Sequence, residues 1–142
     1  MFLGQYRHNL DSKGRVIIPA RFRGLLDEAV YLTQGFDHNL RLLPESAFQV
    51  IYQRVTSMST TDPAARQLRR LIFSSAQKVD LDGNGRILIP QYLREVAGLV
   101  DEVIIVGVGE AIEIWSPKAW ESENDSLQDT EANTQRFAAL EV

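Results

Sequence analysis

Two short segments of the sequence carry the same chemically distinctive residues at the same spacing. In each, a glycine and then an arginine follow an aspartate by three and four positions: Asp11, Gly14 and Arg15, and Asp82, Gly85 and Arg86. Such an aspartate accepts hydrogen bonds from the backbone N–H groups of a turn, and the glycine permits positive φ. The arginine's planar fork suits phosphates and the O6/N7 edge of guanine equally well. The pattern therefore predicts two turns that project guanidinium groups toward a polyanion.

The other explanation is that each aspartate and arginine merely pair across a surface hairpin, an interaction worth under ~1 kcal/mol. Duplication of the loop, with Arg23 and Arg94 among the bases near it, favours polyanion binding. The second loop has Gly83 and Asn84 where the first has Ser12 and Lys13, so unequal contributions are expected. The predicted contact residues are Arg15, Arg86, Lys13, Arg7, Lys78 and Asn84, and those predicted to set the loop geometry are Asp11, Gly14, Asp82 and Gly85.

The two loops belong to a longer internal repeat. Shifting the sequence by 71 positions aligns residues 10–19 with residues 81–90, and six of these ten pairs are identical. The alignment reaches back to Phe2 opposite Phe73 and, after a small change of offset, forward to Phe48 opposite Trp120. Self-similarity of this length marks a duplicated structural unit.

Each copy has the pattern of strand, turn, strand, helix, strand, turn, strand. The β-branched runs after the two loops predict strands over 16–18 and 87–89. Pro19 and Pro90 end these strands and open short helices, predicted over 20–26 and 91–99. The later strands are predicted at 29–33, 40–43, 103–108 and 112–115.

Helices are predicted between the two copies and near the end of the chain. A helix beginning near Glu45 is indicated by an apolar stripe at helical spacing, made of Phe48, Ile51, Tyr52, Val55 and Met58. Asp62 as N-cap and Pro63 as first residue predict another, with Arg66, Arg69 and Arg70 on one face. The predicted units are a first repeat (5–48), a helical connection (49–75), a second repeat (76–120) and an acidic tail (121–142) with a helix near 136–140.

Charge is segregated along the chain. The formal net charge of the 142 residues is −4, which is unusual for a protein that binds nucleic acid. Residues 121–142 hold six acids and one base, so 14 bases and 13 acids remain in residues 1–120. Within that part, residues 1–23 and residues 64–94 each carry a net charge of +4. Positive charge is therefore concentrated around the two loops.

The sequence lacks the residues that several classes of protein require. The absence of cysteine excludes a disulfide, a thiolate zinc site and a cysteine nucleophile, and it fits a reducing compartment. His8 and His38 are the only histidines, and no serine lies in a nucleophile elbow. The longest apolar run, 103–108, is far shorter than the ~18 residues of a membrane span. We expect a cytoplasmic protein that is no enzyme, needs no cofactor and does not enter a membrane.

Two ligand motifs are incomplete. Residues 80–85 fit the first six positions of a calcium-binding EF-hand loop, but Gln91 stands where a bidentate carboxylate is required. The pair Gly107 and Gly109 lacks the third glycine of a dinucleotide fingerprint and predicts a hairpin turn instead. Trp115 and Trp120 are interpreted as anchors of the core or of a subunit contact rather than as platforms for stacked bases.

The order of the repeats, the Phe2-Leu3-Gly4 opening, the two Asp-x-x-x-Arg loops and the Ile-Pro ends resemble the MraZ family over residues 1 to about 120. Each unit is similar to the swapped-hairpin DNA-binding unit of the AbrB and SpoVT regulators. The resemblance implies an α+β, mainly β fold: a double-split β-barrel in which two duplicated hairpin units interlock as a pseudo-dimer, with short helices and a helical connection.

The resemblance also implies a function. It predicts a nucleoid-associated transcriptional regulator that forms a homo-oligomeric ring. The ring would bind short direct repeats of double-stranded DNA upstream of a cell-division and cell-wall gene cluster. The family's Asp-x-x-x-Arg positions fall on Asp11 and Arg15 and on Asp82 and Arg86. The competing class is a β-barrel interaction module that binds no nucleic acid.

Overall fold

The computed structural model describes residues 1–27 and 29–141, so Val142, the last residue of the predicted tail, lies outside it. The strands are β1 (Gln5–Asn9), β2 (Arg15–Ile17), β3 (Val30–Gln34), β4 (Leu40–Pro44), β5 (Gln77–Val79), β6 (Arg86–Leu88), β7 (Glu102–Gly107) and β8 (Ile112–Trp115). The helices are α1 (Ala20–Arg23), α2 (Glu45–Thr56), α3 (Pro63–Ser75), α4 (Gln91–Val96), α5 (Pro117–Leu127) and α6 (Thr130–Phe137). The predicted pattern of strands and helices within each copy is confirmed.

The two copies exchange strands. Six strands form one antiparallel sheet in the order β1-β7-β8-β4-β3-β5, and β2 pairs with β6 in a separate two-stranded ribbon. The first strand of each copy therefore pairs with the third strand of the other, β1 with β7 and β5 with β3. The order is symmetric about the contact between β4 and β8, so the two copies interlock as the resemblance implies.

The fold class, α+β and mainly β, is confirmed, but the hydrogen-bonded strands do not close into a barrel. In the described part of the chain, β1 and β5 lie at opposite edges of the six-stranded sheet. The ribbon between the copies pairs over only three positions on each strand. Pro19 and Pro90 follow soon after, and proline has no N–H to extend a ladder. The strands therefore form an open sheet with a ribbon packed on one face.

Alternate residues of the sheet enter different apolar clusters. Leu32 and Ile105 belong to the central core, which also contains the ribbon residues Val16 and Ile87. We call this the inner face of the sheet. On the outer face, α2 and α3 cover the first copy, where Leu43, Phe48, Val55 and Ile72 are buried together. The outer face of the second copy holds a smaller cluster of Ile104, Val106 and Trp115, against which Ala119 and Trp120 pack.

Helix ends follow local chemistry, and two of them differ from the sequence prediction. Helix α4 stops at Val96 because Gly98 takes a φ of 63° and Leu99 N–H donates to Arg94 O at 2.8 Å, a glycine-terminated cap. Helix α1 is likewise shorter than predicted, with Gly24 at its C-cap. The predicted start of α3 is confirmed, because Asp62 Oδ1 accepts from Ala64 N–H at 2.9 Å.

The predicted tail contains more helix than its composition indicated. Helix α5 runs on to Leu127, and α6 begins at Thr130 rather than near residue 136. The signal was Asp129, whose Oδ1 accepts from Ala132 N–H at 3.1 Å and caps α6. No helix within residues 1–27 and 29–141 has both the length and the hydropathy needed to cross a membrane.

Candidate nucleic-acid interface

Loop 1, residues 11–15, is built around the carboxylate of Asp11. Oδ1 accepts from the backbone N–H groups of Lys13 and Arg15, both at 2.9 Å. Oδ2 accepts from Arg15 Nε at 2.7 Å. Gly14 completes the turn with a φ of 84°. One side chain thus fixes both the backbone of the turn and the direction in which its arginine leaves.

Loop 2, residues 82–86, has the same geometry. Asp82 Oδ1 accepts from Asn84 N–H at 2.9 Å and from Arg86 N–H at 3.0 Å, and Oδ2 accepts from Arg86 Nε at 2.8 Å. Gly85 has a φ of 75°. Because two different sequences adopt one set of hydrogen bonds, the residues they share are those that determine the turn.

The ribbon places the two loops side by side. In the β2–β6 register Arg15 lies opposite Leu88 and Ile17 lies opposite Arg86, with the Val16–Ile87 pair between them. Val16 and Ile87 are buried in the core, so Arg15, Ile17, Arg86 and Leu88 lie on the other side of the ribbon. Ile17 and Leu88 are exposed there. The two arginines therefore occupy one surface rather than opposite ends of the protein.

Each loop is also locked to the other copy. Ile18 N–H donates to Gly85 O, and Ile89 N–H donates to Gly14 O, both at 2.9 Å. A Cβ atom on Gly14 would lie 2.8 Å from Cζ of Arg94, and one on Gly85 would collide with Arg23. Each glycine is thus needed for a positive φ and for the close approach of an arginine from the opposite copy.

Sequence reasoning placed Arg23 and Arg94 among the bases near the loops but missed this packing. Arg23 Nε donates to Ile18 O at 2.8 Å, whereas Arg94 Nε is buried without a hydrogen-bond partner among the described residues. The signal was their matching position in the two copies, since Phe22-Arg23 aligns with Leu93-Arg94. Their role in the structure is to support the loops rather than to extend from them.

The arginines are held but keep donors for a ligand. The side chains of Arg15 and Arg86 are 31% and 26% exposed. In each, the aspartate uses Nε–H, so the four N–H bonds on the two Nη atoms remain directed away from that contact. Lys13 and Asn84 are exposed at the loop tips. The surface offers planar cationic donors beside a lysine and an amide, as recognition of phosphate or of base edges requires.

The loop hydrogen bonds keep both aspartates ionised. The backbone N–H of Arg15 is the main reason that the pKa of Asp11 is lowered from 3.8 to about 2. The pKa of Asp82 is also lowered, chiefly by the backbone N–H of Arg86. Partial desolvation acts in the opposite direction at both sites without outweighing the hydrogen bonds. Near neutral pH both carboxylates are therefore charged and remain acceptors for their arginines.

The structure does not gather all of the predicted contact residues. Arg7 lies on β1, where it forms an ion pair with Glu102, and Lys78 lies on β5 opposite Tyr31. These two strands are the opposite edges of the sheet, so Arg7 and Lys78 do not form one patch. Loop geometry brings together Arg15 and Arg86, with Lys13 and Asn84 at the tips.

In the segment 80–85, which resembles the start of a calcium-binding loop, Asp82 serves as a hydrogen-bond acceptor within loop 2. Asp82 accepts hydrogen bonds from its own loop and from Arg86. Within the two described stretches, three or more histidine, aspartate or glutamate residues do not assemble anywhere as a possible metal site. The predicted turn at Gly107 and Gly109 is confirmed as the connection between the paired strands β7 and β8.

Comparison with known proteins identifies the family. The family model described as "MraZ protein, putative antitoxin-like" matches residues 1–71 and again residues 72–140. A "Transcriptional regulator MraZ" from Roseiflexus sp. (strain RS-1) is 46% identical over 138 residues, which cover 97% of this chain and 94% of that protein. Another protein of that name, from Thermomicrobium roseum, is 44% identical over 141 residues and 99% of each chain. The protein therefore belongs to the MraZ family.

Proposed function

We propose that this protein is a transcriptional regulator that binds double-stranded DNA through loops 1 and 2. The regulatory role is supported by relatives that are named "Transcriptional regulator MraZ". The observation that carries the DNA-binding role is the position of Arg15 and Arg86 on one side of the ribbon, each held through Nε by its own aspartate. Two pre-oriented forks next to each other suit a surface with regularly spaced phosphates.

The loops can both position and read DNA. Half to two-thirds of protein–DNA hydrogen bonds go to phosphate and sugar, and bidentate arginine contacts to guanine supply much of the direct readout. Lys13 and Asn84 occupy the same position in the two loops, so loop 1 presents a cation where loop 2 presents an amide. We infer that the two loops make unequal contributions, with the stronger phosphate contact in loop 1. Arg7 and Lys78 remain proposed as outer contacts, outside the central pair.

We further propose that the protein acts as a homo-oligomeric ring in the cytoplasm, at the nucleoid. Its targets are short direct repeats upstream of a cell-division and cell-wall gene cluster, as the family resemblance implies. One ribbon is a small contact surface, so a single subunit should bind weakly. Once one subunit is bound, its neighbour meets the next repeat at raised effective concentration. The protein has no catalytic role in this scheme, and the division into 5–48, 49–75, 76–120 and 121–142 is retained as a proposal.

The number of repeats in the DNA tests the proposal. Gel shifts with the DNA region upstream of the protein's own gene would compare fragments that keep one repeat or three repeats, at equal length. We expect much tighter binding to three repeats, and binding that weakens steeply as salt rises, because several phosphate contacts release counterions. Equal affinity for one and three repeats would contradict ring avidity. Absence of salt-dependent binding to any of the fragments would favour an interaction module without a nucleic-acid partner.

A further inference from the structure

The two copies of the repeat are covered differently on the outer face of the sheet. In the first copy two helices cover the outer face, and Ile72 of α3 is buried together with Phe48 of α2. In the second copy α5 covers the sheet alone: Trp120 packs edge-on against Trp115 at 5.4 Å and donates from Nε1 to Gln5 Oε1 at 3.1 Å. The counterpart of α3 is α6, which buries none of its residues. Helix α6 therefore has no counterpart of the packing surface that α3 uses in the first copy.

Residues 121–141, which we call the acidic arm, have exposed apolar and acidic side chains that could pack on a surface outside their own half of the sheet. An isolated helix of fewer than ~12 residues is marginal in water, and α6 has eight. Phe137 and Leu140 are 46% and 62% exposed. The one base of the arm, Arg136, is bonded to Ser126 of the same arm. Among the described residues, no ion pair involves the six acids of the arm: Glu121, Glu123, Asp125, Asp129, Glu131 and Glu141.

Helix α3 has an exposed surface that is positively charged, opposite in sign to the acidic arm, and that includes apolar residues. A shallow depression of about 580 Å³ on its exposed side is lined by Gln67, Leu68, Arg70, Leu71 and Ser74. Next to it Arg66 and Arg69 line a smaller cleft together with Arg70 and Thr60. Within the described stretches these three arginines form no ion pair with any acid. We call this surface the α3 face.

We propose that the acidic arm of one copy docks on the α3 face of a second copy. Phe137 and Leu140 would cover the Leu68–Leu71 floor, and the acids of the arm would lie against Arg66, Arg69 and Arg70. Docking within one chain is disfavoured because α5 holds the arm on the half of the sheet that contains β7, whereas α3 packs on the half that contains β3. The inference rests on the homo-oligomer of the proposed function and is independent of DNA binding.

Cysteine pairs test this contact directly, because the chain has no cysteine of its own. One preparation carries Ser74→Cys on the α3 face and another carries Ala138→Cys beside Phe137; both changes are small and leave the proposed apolar contacts intact. After the two are mixed and mildly oxidised, we expect a disulfide-linked dimer that contains one chain of each kind. Arg70→Glu in the first chain should abolish this dimer. Arg21→Glu is the matched control: the same change at an exposed residue of α1, the helix whose Phe22 packs in the central core, should leave the dimer unchanged.

Every other result of the experiment contradicts the proposal in a distinct way. No mixed dimer, although both thiols react with a soluble reagent, shows that the arm does not reach the α3 face. A bridge within single chains that carry both cysteines shows docking in the same copy. A stronger bridge from Ala138→Cys to Ser12→Cys shows that the arm covers the DNA loops instead. Sedimentation of the unmodified protein shows separately whether it forms the homo-oligomer on which the inference rests. The first two failures leave the DNA-binding proposal untouched, whereas a bridge to Ser12→Cys would place the arm over loop 1.

Discussion

Arg86 Nη1 lies 3.8 Å from Asp11 Oδ2, so the arginine of the second loop reaches the acid of the first. The reciprocal pair, Arg15 with Asp82, is not within ion-pair distance in the described structure. Asp11 therefore contacts both arginines of the site, whereas Asp82 contacts only its own. The near-symmetric site has one acid whose loss would affect both loops.

This difference predicts unequal effects of neutralising the two acids. Asp11→Asn should lower the free energy of unfolding more than Asp82→Asn, because it weakens the bond to Arg15 and the attraction to Arg86 together. Urea unfolding of the two variants, followed by circular dichroism, measures the difference. Asp80→Asn is the matched control, since Asp80 is exposed and belongs to no ion pair among the described residues. A larger effect at Asp82 would show that the 3.8 Å contact is irrelevant to stability.

Acid should destabilise the protein through the same two carboxylates. In the folded protein the pKa of Asp11 is about 2, below its ordinary value of 3.8, and the pKa of Asp82 is lowered as well. A lowered folded pKa stabilises the protein fully above the unfolded pKa, and this contribution is lost as pH falls from about 4 toward about 2. The free energy of unfolding should therefore fall over that range. In a variant with Asp11→Asn and Asp82→Asn the fall should be shallower, and an unchanged slope would contradict the assignment.

The sequence predicted those parts of the fold that depend on local pattern. Strands appeared as β-branched runs, α3 began at Asp62 and Pro63, and the repeat implied two equivalent units. The family resemblance implied a double-split barrel, and here the six-stranded sheet stays open, because whether sheet edges meet depends on contacts between strands far apart in sequence. The start of α6 was missed, because a single capping residue, Asp129, outweighed a polar composition without apolar periodicity.

The sequence also predicted which residues share each loop, but not which residues from elsewhere in the chain lie next to the loops. Asp11, Gly14 and Arg15 lie within one turn, so their spacing already constrains their geometry. Arg7 and Lys78 were added because each is a base shortly before a loop in the sequence, yet the structure places them on the two opposite edge strands of the sheet. The packing of Arg23 on Gly85 joins residues from different copies, and its one signal in the sequence was the matching position of Arg23 and Arg94 in the repeat.

The loop glycines should be intolerant of a side chain. Gly14→Ala and Gly85→Ala would force alanine into a left-handed backbone, which costs about 1 to 2 kcal/mol per residue. The added Cβ would also displace Arg94 or Arg23. Gly83→Ala is the matched control within loop 2, since no heavy atom lies within 4 Å of its ideal Cβ. Thermal or urea unfolding should show destabilisation of the first two variants only; a neutral Gly14→Ala would mean that the turn relaxes at no cost.

The two loop arginines should each contribute to DNA affinity without affecting assembly. Arg15→Ala and Arg86→Ala are expected to weaken binding by about 1 to 3 kcal/mol each. Fluorescence anisotropy on DNA with three repeats measures the affinity, and sedimentation checks the oligomer. Lys118→Ala removes an exposed cation on α5, far along the chain from the loops, and should bind like the unmodified protein. Unchanged affinity in either arginine variant would assign that loop a structural role.

Arg15→Lys separates the charge of the arginine from its shape. Lysine keeps the positive charge, so the dependence of binding on salt should remain close to that of the unmodified protein. It lacks the fork that lets Nε–H bind Asp11 while the Nη atoms face a ligand, and its flexible stem is not held in one direction. We therefore expect affinity for the repeats to fall while weak binding to unrelated DNA persists. If Arg15→Lys binds the repeats as tightly as the unmodified protein, loop 1 supplies only charge, and the geometry held by Asp11 does not contribute to recognition.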